Sequence, residues 1–109
     1  CPFIKNFAII AQNFVFAAKD GTIAYKANGR IPVRKTGDGQ LPVPGDSNEF
    51  GWTGYVPYTE LPKVVNPEEG FIATANNEVV DESYLYHITD FWAQSYRYER
   101  IAEVLASKS

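Results

Sequence analysis

Glycine and proline dominate the middle of this 109-residue chain and limit the secondary structure that it can form. Ten of the roughly thirty residues from 28 to 57 are Gly or Pro. Gly weakens helices and strands, and Pro removes a backbone donor, so the stretch predicts irregular structure. A loop of this length in a compact domain is usually functional or packed against another part of the protein. Regular elements are therefore expected on either side of it.

A β-hairpin is predicted before the loop. Residues 12–18 place apolar side chains on both faces, which is typical of a strand that is covered on both sides. Residues 22–27 supply the return strand. Asp20 and Gly21 between them predict a two-residue type I′ turn, because that turn needs positive φ at both central positions. The first ten residues fit either the end of a helix or an apolar strand.

Two more elements are predicted after the loop. Residues 70–75 read as a short strand that ends at Asn76 and Asn77. Residues 95–106 carry apolar side chains at i, i+3 and i+7, the pattern of an amphipathic helix. The order is β-hairpin, long loop, strand and C-terminal helix, so the sequence predicts an α+β fold.

Composition excludes several classes of protein. The chain is 45% hydrophobic and 15% aromatic, too apolar for an intrinsically disordered chain. No window approaches the roughly 18 apolar residues of a membrane span, so no membrane partner is expected. One Cys and one His exclude an internal disulfide framework and a paired-histidine metal motif. A net charge of −3 without a basic face predicts no nucleic-acid partner. The absence of Met indicates a processed, excised or incomplete chain.

Six short motifs follow one another along the chain: QNFVFA at 12–17, DGTIAY at 20–25, GRIPVR at 29–34, LPVPG at 41–45, WTGYVP at 52–57 and GFIATANN at 70–77. In this order they resemble the penicillin acylase (penicillin amidase) family. Tyr96-Arg97 and Arg100-Ile101 continue the pattern, so the resemblance covers nearly the whole chain. Residues 1–109 are interpreted as a single fragment of the catalytic β-chain.

The resemblance implies a four-layer αββα N-terminal-nucleophile hydrolase sandwich and an amidase activity of the parent protein. In this family a Ser or another nucleophile at the new β-chain N-terminus uses its own α-amino group as the base. The substrate is expected to be a small N-acyl amide, such as a penicillin, a cephalosporin or an N-acyl-homoserine lactone. The partners are then the remaining parts of the α- and β-chains. The resemblance suggests a periplasmic or extracellular location.

Asn76 matches the side-chain donor of the family's oxyanion hole. An amide N–H held at a strand end can meet developing negative charge without the cost of burying a positive charge. The alternative is an ordinary turn former, and Asn77 is expected to bond local backbone. Arg97 matches a family arginine that orients the site and assists maturation. Its alternative is an ion pair at the start of the helix.

Other candidates are given structural interpretations. Cys1 carries a thiol beside an α-amino group, but the family places its nucleophile far upstream, so Cys1 is not assigned. A family calcium site matches the Gly39 carbonyl, whereas a second ligand, an Asp, falls on Tyr86, which suits a hard cation poorly. No catalytic cofactor is expected, and a structural calcium ion in the parent protein stays open. His87 is interpreted as structural.

The competing interpretation is a non-enzymatic, aromatic-rich binding module. Aromatic side chains from residues 52 to 92 could line an acyl pocket, but large rings are usually buried for packing alone. The two interpretations differ in surface: a fragment of an enzyme exposes a large apolar face where its missing parts pack, and a self-contained module does not.

Overall fold

The computed structural model describes residues 4–6 and 9–108. Its strands and helix are β1 (Gln12–Ala17), β2 (Ile23–Asn28), β3 (Pro32–Arg34), β4 (Trp52–Tyr55), β5 (Lys63–Val65) and α1 (Tyr96–Ala106), with 3₁₀ helices at Ile4–Asn6 and Tyr58–Glu60. Within the first ten residues the structure shows only the 3₁₀ helix at Ile4–Asn6 among those described. The two predicted alternatives for this segment, the end of a helix or an apolar strand, also depended on Phe3, Phe7 and Ala8. These three lie outside the described residues. Strands and one helix in this order make an α+β arrangement, as predicted.

The hairpin of β1 and β2 forms where the sequence predicts it, but its turn is different. Ala17 pairs with Ile23, and the Ala18 amide donates to the Thr22 carbonyl at 2.8 Å, which closes a three-residue loop. Gly21 has φ 89°, whereas Asp20 is not among the residues with positive φ. The type I′ prediction was wrong: one Gly after a type I turn needs positive φ only once. The Asp20 carboxylate instead accepts from the Thr22 amide at 2.9 Å, which lowers the pKa of that carboxyl group.

A third strand, β5, completes the first sheet, whose order is β1-β2-β5. Both pairings of β2 are antiparallel, and Tyr25 at its centre lies between Val15 of β1 and Val64 of β5. The predicted strand over 70–75 is absent, because within the described residues no strand pairs with that segment. A turn at Pro67–Gly70, with Gly70 at φ 74°, lies between β5 and the 70–75 segment.

The Gly- and Pro-rich stretch is mostly irregular, as predicted, but its two ends pair as the short antiparallel strands β3 and β4. Side chains hold the loop between them. Lys35 Nζ donates to the Asn48 carbonyl at 3.0 Å, and Thr36 Oγ1 donates to the Glu49 carbonyl at 3.1 Å. The Lys35 amide also donates to the Gly51 carbonyl at 2.9 Å, so one backbone bond continues the pairing of β3 and β4 before these side-chain bonds take over.

The core of the described chain is small. Its buried apolar residues are Tyr25, Ala27, Val56, Leu61 and Ala75. None of the described side chains is less than 2% exposed. Val15 and Phe16 of β1 are each 54% exposed, so the prediction that this strand is covered on both faces is wrong for the described chain taken alone. The radius of gyration is 16.5 Å, against roughly 13 Å for a compact domain of this length.

Helix α1 lies at the C-terminal end of the described chain, within the predicted range 95–106. Ser95 precedes it and its hydroxyl donates to Glu99, while Arg100 and Glu103 form an ion pair one turn apart at 2.7 Å. That pair is exposed on both sides and contributes little stability. Among the described residues no helix is long and apolar enough to cross a bilayer.

Replacing Gly21 by Val tests the hairpin turn. A Cβ at Gly21 would meet no atom within 4 Å, so the cost comes from the left-handed backbone alone. We expect a loss of about 1–2 kcal/mol of unfolding free energy, measured by urea unfolding. Gly45→Val is the matched control, because Gly45 also has open space around it but does not have positive φ. Equal stability of the two variants would contradict the turn geometry.

Candidate active site

An open cavity of about 400 Å³ lies between the open end of the hairpin, where β1 begins and β2 ends, and the segment that follows β5. Its polar lining residues come from both sides: Gln12, Asn13 and Asn28 from the hairpin, and Thr74 and Asn76 from the 74–77 segment. Ile31, Val79, Ile88 and Trp92 contribute apolar walls. The cavity therefore offers neutral polar groups beside an apolar surface, which suits a small molecule that combines an amide with a hydrocarbon part.

The backbone around Asn76 is held in an unusual conformation. Asn76 has φ 61°, in the left-handed region that Asn tolerates better than most residues. Its carbonyl accepts from the Ala93 amide at 2.9 Å. One residue earlier, the Ala75 amide donates to Asn77 Oδ1 at 3.0 Å, and Asn77 Nδ2 donates to the Glu78 carbonyl at 2.9 Å. Asn77 thus bonds local backbone, as the sequence predicts, and its amide is fully engaged there.

Arg97 lies in the first turn of α1 and reaches back to the same segment. Its Nη2 donates to the Ala75 carbonyl at 2.7 Å and to Asn76 Oδ1 at 3.1 Å. A guanidinium can only donate, so it fixes which end of the Asn76 amide faces it. Nδ2 of Asn76 then points away from Arg97 and donates no hydrogen bond within the described part of the chain. The structure brings the two residues singled out in the sequence together, and Arg97 has no acidic partner there.

A second chain of hydrogen bonds reaches the cavity from the sheet. Tyr25 Oη donates to Asn13 Oδ1 at 2.7 Å, and Asn13 Nδ2 donates to Thr74 Oγ1 at 3.0 Å. Burial raises the pKa of Tyr25 to about 12, so its phenol stays protonated at neutral pH. The three side chains form a neutral relay from the buried centre of β2 to the cavity.

Sequence reasoning missed this relay. Asn13 and Tyr25 were noted only as parts of motifs, and Thr74 as a residue of a predicted strand. The reason lies in the register: Asn13 pairs with Ala27, so Tyr25 is its diagonal neighbour on the same face of the hairpin. The predicted two-residue turn would have shifted the register by one residue and placed the two side chains on opposite faces. The bond from Asn13 to Thr74 spans 61 residues, and no local pattern predicts it.

The residues expected near a calcium ion do not assemble a site by themselves. The hydroxyl of Tyr86 donates to the Glu60 carboxylate, and the Asp38 carboxylate accepts two bonds from Gln40. Over 4–6 and 9–108, no group of three His, Cys, Asp or Glu side chains could hold a metal ion. The Gly39 carbonyl would be a lone donor to a hard cation that prefers six or more oxygen ligands.

Two other residues singled out in the sequence lie apart from this site. His87 pairs with Asp90 at 3.1 Å on the surface, which agrees with a structural interpretation. Cys1 lies outside the described residues, so the expectation that it is not the nucleophile stays a prediction.

The arrangement of strands and helix is that of part of a solved amidase. The structure of a thermostable penicillin G acylase from Alcaligenes faecalis superposes with a TM-score of 0.76 over 97% of this chain, at 25% identity. The match uses 19% of the acylase chain. The fold class is therefore that of a piece of the N-terminal-nucleophile hydrolase sandwich, as the sequence predicts.

The sequence identifies the family more closely. Residues 3–109 match the family described as penicillin amidase, and the chain belongs to that family. It is 36% identical over 103 residues to penicillin acylase 2 proenzyme of Pseudomonas sp. (strain SE83), covering 94% of this chain. It is 37% identical over 103 residues to the acyl-homoserine lactone acylase QuiP of Pseudomonas fluorescens (strain Pf0-1), again over 94% of this chain.

The chain spans only a small part of these relatives. It covers 13% of the penicillin acylase 2 proenzyme and 12% of QuiP. The small part of the relatives' length that the chain covers agrees with its small core and large radius of gyration, because a piece of a larger domain leaves apolar faces uncovered. The chain is thus similar to a segment of a larger acylase.

Burial of the Tyr25 phenol predicts how the stability of the folded chain depends on pH. Its pKa is about 12 in the folded protein, against an ordinary 10, so the unfolded chain loses this proton first as the pH rises. Its contribution to stability is complete below pH 10 and is lost between pH 10 and pH 12. Ultraviolet difference titration of the phenolate, wild type minus Tyr25→Phe, should show a midpoint near 12. A midpoint near 10 would mean that Tyr25 is not buried in solution.

Proposed function

We propose that this chain is part of an amidohydrolase that cleaves N-acylated small molecules through an acyl-enzyme, and that it supplies an oxyanion-hole donor but not the nucleophile. The observation that carries the proposal is the geometry of Asn76. Its Oδ1 accepts from Arg97, its carbonyl accepts from Ala93, its Nδ2 donates to no described residue, and the residue lines the cavity. A donor fixed before the reaction loses no energy in reorientation when charge develops.

The proposed reaction follows the family resemblance. A nucleophile from outside this chain attacks the carbonyl carbon of the amide, and its proton passes to the α-amino group that acts as the base. The carbonyl oxygen becomes an oxyanion and accepts from Asn76 Nδ2. The C–N bond then breaks, the amine leaves with a proton, and water hydrolyses the acyl-enzyme. The bond to Asn76 strengthens as charge develops, so it lowers the barrier and not only the binding energy.

Arg97 is proposed as a positioning residue in this reaction. It donates to the carbonyl of Ala75 and to Asn76 Oδ1, so it holds both the peptide before the donor and the donor itself. Its positive charge also withdraws electron density from the Asn76 amide and makes the opposite N–H a stronger donor. The same geometry would serve maturation, because self-cleavage of a precursor is also attack on an amide.

The substrate class rests on the relatives. One is a penicillin acylase and another is an acyl-homoserine lactone acylase, so the proposed substrate is an N-acyl amide of one of these types. The interpretation as a self-contained aromatic module is not favoured. Large apolar side chains such as Phe16, Leu41, Leu85 and Phe91 are exposed, as expected where the rest of an enzyme packs.

The remaining parts of the α- and β-chains are the proposed partners of this segment. The proposal assigns no cofactor to the chemistry. If the parent protein binds a structural calcium ion, the proposed ligand from this chain is the Gly39 carbonyl. A periplasmic or extracellular site of action is also part of the proposal, by resemblance to the family.

The oxyanion role of Asn76 is tested in the processed full-length enzyme. Asn76→Ala should lower kcat by about 10²–10³, or about 3–4 kcal/mol, with a smaller effect on KM. Ala also resists the left-handed backbone, so Asn76→Gly is the matched variant that removes the amide without that strain. Asn77→Ala is the control and should cost less. Near-normal kcat in Asn76→Gly would reduce Asn76 to a turn former.

The positioning role of Arg97 is tested separately. Arg97→Ala removes two charged hydrogen bonds and frees the Asn76 amide to rotate, so kcat should fall about 10–100-fold while KM changes little. Arg97→Lys keeps the positive charge but not the planar guanidinium with its several fixed donors, and should recover part of the lost kcat. A variant that melts earlier but keeps the wild-type kcat would show that Arg97 acts on stability alone.

The 109-residue chain by itself should have no measurable amidase activity. It lacks the family's nucleophile, and an oxyanion hole alone supplies only a fraction of the rate acceleration. Purified chain should release no amine from a phenylacetyl or long-chain acyl amide. Turnover that disappears in Cys1→Ala would contradict this and would make Cys1 the nucleophile.

A further inference from the structure

The hydroxyl of Thr74 has an unused proton beside the proposed oxyanion site. A threonine hydroxyl donates one hydrogen bond and accepts up to two. Thr74 Oγ1 already accepts from Asn13 Nδ2, and among the described residues it donates to none. It lines the same cavity as Asn76, two residues later in the chain.

The relay fixes the direction of this hydroxyl. In the structure the Asn13 amide presents Oδ1 to the Tyr25 hydroxyl, which donates to it at 2.7 Å, and Nδ2 to Thr74 Oγ1 at 3.0 Å. Thr74 is thus an acceptor toward the hairpin, which leaves its own proton for a partner in the cavity. Tyr25 is only 6% exposed and is held between β1 and β5, so the start of the relay cannot easily rotate away.

We propose that Thr74 is a specificity-determining residue: its hydroxyl donates to an acceptor oxygen of the substrate that lies a few bonds from the scissile carbonyl. This inference rests on the proposed amidase function and deepens it. Thr74 and Asn76 line the same cavity two residues apart, so two donors of one cavity can reach two oxygens of one small molecule. The second oxygen belongs either to the acyl chain or to the leaving group.

Neutral groups suit this task. Thr74, Asn13 and Tyr25 carry no charge at neutral pH, so they can select a carbonyl oxygen without attracting carboxylates or phosphates. A site that is built to donate a hydrogen bond leaves a polar group unpaired when a substrate lacks the acceptor, and this penalty produces the discrimination. The expected effect of one neutral hydrogen bond is about threefold to tenfold in kcat/KM.

The test uses the processed full-length enzyme and two matched pairs of substrates. The first pair is N-octanoyl-homoserine lactone and its β-keto counterpart, which differ in an acceptor on the acyl chain. The second pair is N-octanoyl-homoserine lactone and the octanoyl amide of cyclopentylamine, which differ in an acceptor on the leaving group. In the wild type, one pair should favour the acceptor-bearing substrate about threefold to tenfold in kcat/KM, and that pair identifies the source of the oxygen.

Substitutions then assign the preference to Thr74. Thr74→Val should bring the ratio close to one, while Thr74→Ser should keep it. Tyr25→Phe frees the Asn13 amide to turn over and accept the Thr74 proton, so it should also lower the ratio. Thr53→Val is the control, because it removes a comparable hydrogen bond to the Val33 carbonyl away from the cavity.

The outcomes separate this inference from the proposed function. If the wild type hydrolyses these amides but Thr74→Val leaves both ratios unchanged, the specificity role is wrong and the amidase proposal stands. An unchanged ratio in Tyr25→Phe would refute the relay as the device that orients the hydroxyl. If the wild type hydrolyses none of the three substrates and no penicillin, both proposals fail.

Discussion

The guanidinium of Arg97 is the contact on which the candidate site depends. It joins the start of α1 to a segment 22 residues earlier, and it does so at the two consecutive residues Ala75 and Asn76. Without it, the Asn76 amide would have no partner that distinguishes its oxygen from its nitrogen. Because a guanidinium has donors and no acceptor, this contact engages Oδ1 of the Asn76 amide and leaves Nδ2 without a partner among the described residues.

The rest of the site follows the same logic of orientation through hydrogen bonds. The Ala93 amide holds the carbonyl of Asn76, and Asn77 ties down the amide of Ala75. From the hairpin side, Tyr25 donates to Asn13, which in turn donates to Thr74 on the same segment as Asn76. Arg97 supplies the one positive charge of this arrangement, and it lies behind the donor rather than in the cavity. The cavity is thus lined from two sides by polar groups that are hydrogen-bonded to residues of other segments.

Large apolar side chains of the sheet are exposed in this chain. A chain that covers about an eighth of its relatives cannot bury both faces of its sheet. Val15 and Phe16 on β1 therefore remain half exposed, and the small core consists of residues that the described elements cover by themselves. Hydrogen bonds, rather than a large core, connect the residues of the site.

Local patterns in the sequence determined the position of the hairpin, the irregular loop, the C-terminal helix and the resemblance that pointed to Asn76 and Arg97. These features depend on periodicity, on Gly and Pro, and on short motifs, all of which act over a few residues. The tertiary structure decided the rest. Gly21 alone takes positive φ in the turn, and Lys63–Val65 rather than residues 70–75 pairs with β2. The contact of Arg97 with Asn76 and the relay from Tyr25 to Thr74 join residues distant in sequence, and such contacts exist only once the chain has folded around them.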